Sequence, residues 1–221
     1  MDDTALLHTY NRFPVIFEKG EGVRLFDTEG KEYLDFFSGI GVNALGYGYK
    51  KYTDRLSEQL GKLLHVSNYF YSEPLLSAAK RYTEASGMDK VFFTNSGAEA
   101  VEGALKLARK YAHEEKNDEC NEIIAFNHSF HGRSIGAVSV TGTDSYRSPY
   151  GPLLTDVKFA DYNDIESVRA LVSDKTCAII LETIQGEGGI HVADKEFLSE
   201  IRNICDKNNI VMILDEVQCG M

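Results

Sequence analysis

The sequence has no CxxC pair, no cluster of positive charge, no internal repeat and no apolar run of membrane length. Each absence removes a class of function. Cys120, Cys177, Cys205 and Cys219 lie far apart, which argues against a structural zinc site or a small disulfide scaffold and points to reduced, mostly buried thiols. Lysine and arginine number 23 against 34 aspartates and glutamates, a net charge of −11. A chain this acidic repels a phosphate backbone unless its positive charge is clustered, and the densest charged stretch, Lys110 to Glu122, mixes both signs as a solvated helix end would. Nucleic acid is therefore not an expected partner. Apolar runs such as Ile210 to Leu214 are strand-sized, far below the roughly 20 residues of a membrane helix, so no membrane association is expected either. The acidic start Met1-Asp2-Asp3-Thr4 leads into no apolar signal region, and a cytoplasmic location is expected.

What is present is ordinary globular composition, 43% hydrophobic and 26% charged, in 221 residues. Val23 to Phe26 and Glu32 to Phe36 flank Asp27-Thr28-Glu29-Gly30-Lys31, a hairpin turn, so an antiparallel ribbon opens the chain. A glycine-rich stretch, Ser38 to Tyr49, precedes a helical pattern in Tyr52, Leu56, Leu60, Leu63 and Leu64, and a second helix begins near Pro74. Strand-like runs at 90–94, 122–126, 137–140, 177–181 and 210–214 then alternate with helical ones, notably Val101, Leu105, Ala108 and Ala112 on one face and Lys195 to Lys207. The expected architecture is α/β: a mainly parallel sheet flanked by helices, with residues 1–50 as a ribbon segment and 51–221 as an incomplete large domain.

Four segments, each after an expected strand, carry chemistry. Asn95-Ser96-Gly97-Ala98-Glu99-Ala100 opens a helix, where unpaired N–H groups and the helix dipole favour a phosphate; it also reads as a plain capping box through Ser96 and Glu99. Asp215-Glu216-Val217-Gln218 follows the apolar run 210–214. A carboxylate there could pair with a protonated cofactor ring nitrogen and Gln218 with a polar ring substituent, or Asp215 could cap a helix. In Asn127-His128-Ser129-Phe130-His131-Gly132-Arg133, Phe130 offers a ring face and Arg133 a fork for a substrate carboxylate, with core packing and a surface ion pair as the alternatives. The i, i+3 pair His128 and His131 has no third ligand at recognisable spacing, so no metal is expected. Gln185-Gly186-Glu187-Gly188-Gly189 lacks the G-x-G-x-x-G spacing of a dinucleotide loop.

Asn-Ser-Gly-Ala-Glu-Ala from Asn95, Phe-His-Gly-Arg from Phe130, Gln-Gly-Glu-Gly-Gly from Gln185 and Leu-Asp-Glu-Val-Gln-Cys-Gly-Met from Leu214 stand in the order and spacing of the class III pyridoxal-phosphate aminotransferases. The resemblance runs through essentially the whole chain, including Gly39 to Gly46 and His65-Val66-Ser67-Asn68. It implies the type I fold of pyridoxal 5'-phosphate (PLP) enzymes. It also implies that Ser96, Gly97 and Ala98 hold the cofactor phosphate, Phe130 and Val217 cover the two ring faces, Asp215 pairs with the ring nitrogen and Gln218 contacts the ring hydroxyl. Glu216 comes with the stretch and has no assigned role. Arg133 would bind a substrate carboxylate, and Glu187 would act as a switch by pairing with a later arginine. Where relatives have Glu-Pro this chain has Glu182-Thr183, and where ornithine-specific members carry tyrosine it has Ile40. The amino donor implied is thus N-acetylornithine and the acceptor 2-oxoglutarate, in arginine biosynthesis, with a homodimer as the full-length form.

Family members continue past the position of Met221 into the lysine that anchors the cofactor and into a small C-terminal domain. None of these 221 residues occupies that lysine's position, so the chain as it stands is expected not to transaminate. Two rivals remain: a noncatalytic PLP-binding or interaction module, and a nucleotide-binding α/β protein. Ornithine, succinyl-diaminopimelate and 4-aminobutyrate are the other donors in view.

Overall fold

Asp27 makes the opening turn. Its Oδ1 accepts the N–H groups of Glu29 at 3.0 Å and Lys31 at 2.9 Å, its Oδ2 accepts the Tyr33 hydroxyl at 2.9 Å, and Gly30 takes the left-handed φ of 79° that the turn needs. In the computed structural model, which describes residues 4–220, this turn joins β2 of a three-stranded antiparallel ribbon, β1 (Phe17–Glu21), β2 (Arg24–Asp27) and β3 (Glu32–Leu34). The chain divides into a first unit ending at Val91 and a second beginning at Phe92. The first unit adds the turn α1 (Ser38–Gly41), with Gly39 and Ile40 left-handed, then α2 (Lys50–Leu60) and α3 (Glu73–Ser86). Pro74 sits in the first turn of α3 and Gly87 closes it at φ 72°. The helical spacing expected through Leu64 stops at Leu60, because Gly61 follows.

The second unit contains α4 (Gly97–Glu115), β4 (Glu122–Phe126), α5 (Ile135–Ser139), α6 (Asp144–Arg147), β5 (Val157–Ala160), α7 (Ile165–Leu171), β6 (Thr176–Glu182), the small hairpin β7 (Ile184–Gln185) and β8 (His191–Val192), α8 (Lys195–Asn208) and β9 (Val211–Asp215). Four strands form one parallel sheet in the order β5-β4-β6-β9. Side-chain alternation splits the core. Ile123 and Ala125 pack with Val101, Leu105, Ala108 and Ala112 of α4, whereas Ile124 and Phe126 pack with Val168 of α7 and with Phe197, Ile201 and Cys205 of α8. Helices therefore cover both faces, as expected for buried parallel strands.

Three local expectations need correction. Residues 137–140 belong largely to α5 rather than to a strand: the N–H groups of Gly136 and Ala137 donate to Glu102 Oε1 at 2.8 and 3.2 Å and start a helical turn. Residues 90–94 are assigned to no strand and join no ladder, and strand structure exists only through a bonded neighbour. The edge strand β5, which the pattern did not suggest, is real and pairs with β4.

The sheet order puts β4 between β5 and β6, so the chain reverses direction across the sheet between β4 and β6. Open α/β sheets bind ligands at the carboxyl ends of strands flanking such a reversal.

Candidate active site

The ladder between β6 and β9 sets Glu182 opposite Asp215, so two carboxylates end neighbouring strands at that edge. They have different partners. Asp215 Oδ2 lies 2.7 Å from Nδ1 of His131, whose side chain is fully buried, and Asp215 Oδ1 accepts the Val217 N–H at 3.1 Å. Glu182 accepts the Phe130 N–H at 3.1 Å, and the Gly186 N–H nearby also favours its charged form. Burial pushes the Glu182 carboxyl above its usual range, and the neighbouring Asp215 adds to this; the two N–H groups and His131 oppose the rise.

His131 is fixed from its backbone as well. Its N–H donates to Thr141 Oγ1 at 3.0 Å, and the Thr141 hydroxyl donates to the Ala137 carbonyl at 3.1 Å. Its Nε2 is buried with no partner among the described residues. The loop carrying it turns at His128, φ 64°, and Gly132, φ 130°. A Cβ on Gly132 would stand 3.0 Å from those of Ala98 and Ala137, so this loop runs directly against the first turn of α4.

At that first turn Ser96 caps the helix, while Glu99 reaches one residue further back than in a capping box, to Asn95. Ser96 Oγ accepts the Glu99 N–H at 3.2 Å, and Glu99 Oε2 accepts the backbone and side-chain N–H groups of Asn95 at 2.8 and 2.9 Å. The cap and an anion site are compatible, because Gly97 and Ala98 keep N–H groups with no acceptor inside the helix. Gly97 also abuts Val217: a Cβ there would come within 2.7 Å of Val217 Cγ1. Gln218 packs on Gly186 so closely that a Cβ at Gly186 would overlap its Oε1. A Cβ on Gly188 would stand 2.7 Å from the His128 carbonyl, and Gln185 Nε2 donates to the Asn127 carbonyl at 3.0 Å.

The structure thus brings together 96–98, 127–133, 182–189 and 215–218. Phe130 is half-buried with its ring edge-on to Tyr146, centroids 6.1 Å apart. Arg133, Glu187 and Glu216 are exposed on the same loops. His131 lies against Asp215, and among the described residues no three His, Cys, Asp or Glu side chains gather as ligands. Sequence reasoning passed over Glu182 and the His131–Asp215 pair. The signal for Glu182 was available, since it too is a carboxylate closing a buried apolar strand, as Asp215 does.

Chemically, the helix start suits an anion such as a phosphate, and a mostly buried carboxylate at a strand end suits a protonated ring nitrogen.

The class-III aminotransferase family profile matches residues 6–221. The chain is 48% identical over 221 residues to the acetylornithine aminotransferase of Clostridium acetobutylicum, covering all of this chain and 57% of that protein. It is 46% identical over 215 residues to the enzyme of that name from Methanocaldococcus jannaschii, covering 97% of this chain and 54% of that one. Among solved structures, ornithine aminotransferase from Toxoplasma gondii, described with partial occupancy of PLP at its active site, superposes with a TM-score of 0.92 at 32% identity, covering 98% of this chain and 52% of its own. N-acetylornithine aminotransferase from Stenotrophomonas maltophilia K279a gives 0.81 at 36% identity, with 96% and 53% covered. The chain spans little more than half the length of the curated relatives it matches.

Proposed function

The chain belongs to the class-III aminotransferases, and we propose that it carries much of the PLP site of an enzyme transferring the side-chain amino group of N-acetylornithine to 2-oxoglutarate. The observation that bears most of the weight is the contact of Gly97 with Val217. Through it, the N–H groups opening α4 and the Asp215 carboxylate belong to one site, one end fitted to a phosphate and the other to a ring nitrogen. Ser96, Gly97 and Ala98 would hold the phosphate. Phe130 and Val217 would cover the ring faces, Gln218 would reach the ring hydroxyl, and Asp215 would keep the ring nitrogen protonated. When bound, PLP supplies an electron sink for the substrate carbon that loses its proton. Arg133 would bind a substrate carboxylate and Glu187 would act as the switch; Glu216 has no role in this reading.

The donor preference is supported by the names of relatives at 46–48% identity and by Ile40. None of 95–100, 127–133, 182–189 and 215–218 contains a lysine, the residue type that anchors PLP in this family. We therefore propose that these 221 residues alone bind PLP weakly and do not transaminate. Residues 51–221 are proposed as an incomplete PLP domain behind a ribbon segment. The full-length enzyme is proposed to be a homodimer in the cytoplasm, whose reducing conditions suit four unpaired cysteines, three of them buried. No helix among the described residues is long and apolar enough to cross a membrane.

The test is a donor panel on the full-length enzyme with 2-oxoglutarate as acceptor. N-Acetylornithine is expected to give the highest kcat/KM, and a higher value with ornithine, succinyl-diaminopimelate or 4-aminobutyrate overturns the donor assignment. Asp215→Ala should lower kcat by roughly 10²–10³-fold or more; a variant at parental rate removes Asp215 from its role. Tight nicotinamide or adenine nucleotide binding with no spectral response to PLP would favour the nucleotide-binding rival.

A further inference from the structure

We propose that His131 is a positioning residue acting through Asp215: it donates its Nδ1 proton to the carboxylate, so that Asp215 meets the cofactor ring nitrogen as an ionised, fixed acceptor. This rests on the PLP reading of the site and extends it to a residue outside the expected contact set.

The hydrogen-bond inventory comes first. The 2.7 Å contact between Nδ1 and Oδ2 joins an imidazole nitrogen to an oxygen that, as a carboxylate, can only accept, and in this proposal the shared proton lies on Nδ1. The side chains are 0% and 7% exposed, so water is poorly placed to replace either partner. The backbone at His131 is held by its N–H bond to Thr141, itself tied to the Ala137 carbonyl of α5, and the packing around a fully buried ring leaves it little room to turn away. With the Val217 N–H on Oδ1, both oxygens of Asp215 are held by donors, and the carboxylate plane is fixed while lone pairs remain for a third donor.

Charge points the same way. Glu182 sits across the ladder from Asp215, and two neighbouring carboxylates in a buried place favour protonation of one of them. A donor aimed at Asp215 decides which. The buried carboxyl pushed upward is Glu182, whose hydrogen bond goes to the Phe130 N–H of the loop after β4. His131 thus assigns the negative charge to the strand end beside Val217 and Gly97, where the ring is proposed to lie. Partners of this kind, one bond removed from the contacting group, commonly contribute 10- to 100-fold when tested at metal sites.

Two measurements test this. In the apo form of the full-length enzyme with 15N-labelled histidine, His131 is expected as the Nδ1–H tautomer, with a resonance that moves in Asp215→Asn. A bare Nδ1 with the proton on Nε2 would overturn the proposal without reliance on any variant at His131. Separately, PLP affinity of the apoenzyme is read by absorbance titration. His131→Leu, which keeps bulk but no donor, should weaken PLP binding about 10- to 100-fold. His131→Asn, whose side-chain N–H can take the place of Nδ1–H, should return within a few-fold of wild type. Equal affinities for wild type and His131→Leu, or an Asn variant as weak as the Leu variant, would overturn the role of His131 while leaving the PLP site standing. A wild-type enzyme that takes up no PLP would sink both.

Discussion

Gly97 and Val217 occupy space that a larger pair could not share, and this makes the glycine a packing requirement rather than a hinge. Gly97→Ala would set a methyl 2.7 Å from Val217 Cγ1, so either Val217 or the start of α4 must shift. Val217 is exposed and can move, so PLP affinity in the full-length enzyme should fall several-fold, and the same Gly97→Ala change made in a Val217→Ala background should cost much less. The coupling between the two substitutions is the informative quantity, because a purely helical effect of alanine would be the same in either background. Glu182 gives a pH prediction. Its folded pKa is raised above the ordinary 4.5, so above pH 4.5 the folded state holds more proton than the unfolded one, and this group's contribution to stability falls as pH rises through that window. Glu182→Gln keeps an oxygen to accept the Phe130 N–H but removes the titration. Its stability advantage over wild type, read by denaturant titration, should be larger at pH 7 than at pH 4.5; a constant difference would show that burial of Glu182 is not felt. At this scale the sequence was partly legible. Asp215 stood out as a carboxylate closing an apolar run, and the same logic reaches Glu182. The bond from His131 to Asp215 spans 84 residues and depends on the course of the loop between β4 and α5, which no local pattern encodes.

Elements were legible where their period was long and hidden where they were short. α4 and α8 present three or four buried residues at helical spacing, and β6 is buried along its whole length, so their patterns admit one reading. Ala137-Val138-Ser139-Val140 is too short to show a period, and its helical state is set from outside by the Glu102 carboxylate. Residues 91–94 have strand composition, but a strand exists only through a neighbour. β5 hid behind Lys158, a charge in mid-strand that makes sense only across the ladder, where its Nζ lies 2.7 Å from Glu122 Oε2. The same reasoning predicts the consequence of removing Glu102. Glu102→Ala would leave two N–H groups of α5 without their acceptor and should cost about 1–3 kcal/mol. Faster hydrogen exchange should concentrate at 135–139, and uniform exchange across the second unit would contradict the assignment of Glu102 as the external cap.

At the scale of the whole chain, surface and charge pull against each other. The first unit leaves Phe36 94%, Tyr69 92% and Tyr71 83% exposed, with Phe37, Leu64 and Phe70 also uncovered. Exposed apolar side chains of this kind call for a cover, and a second copy of the chain is the cover that the proposed homodimer offers. Against it stands a net charge of −11, which makes any two copies repel at long range. The balance is adjustable, because salt screens the repulsion and leaves apolar burial intact. Self-association of the chain, followed by sedimentation velocity across micromolar to millimolar concentration, should therefore strengthen with added salt, opposite to an assembly held by ion pairs. Replacing Phe36, Tyr69 and Tyr71 by serine should abolish it while leaving the parallel sheet of the second unit intact by circular dichroism. Association that weakens with salt, or that survives the triple replacement, would move the contact away from these aromatics and take the physical support for the dimer with it.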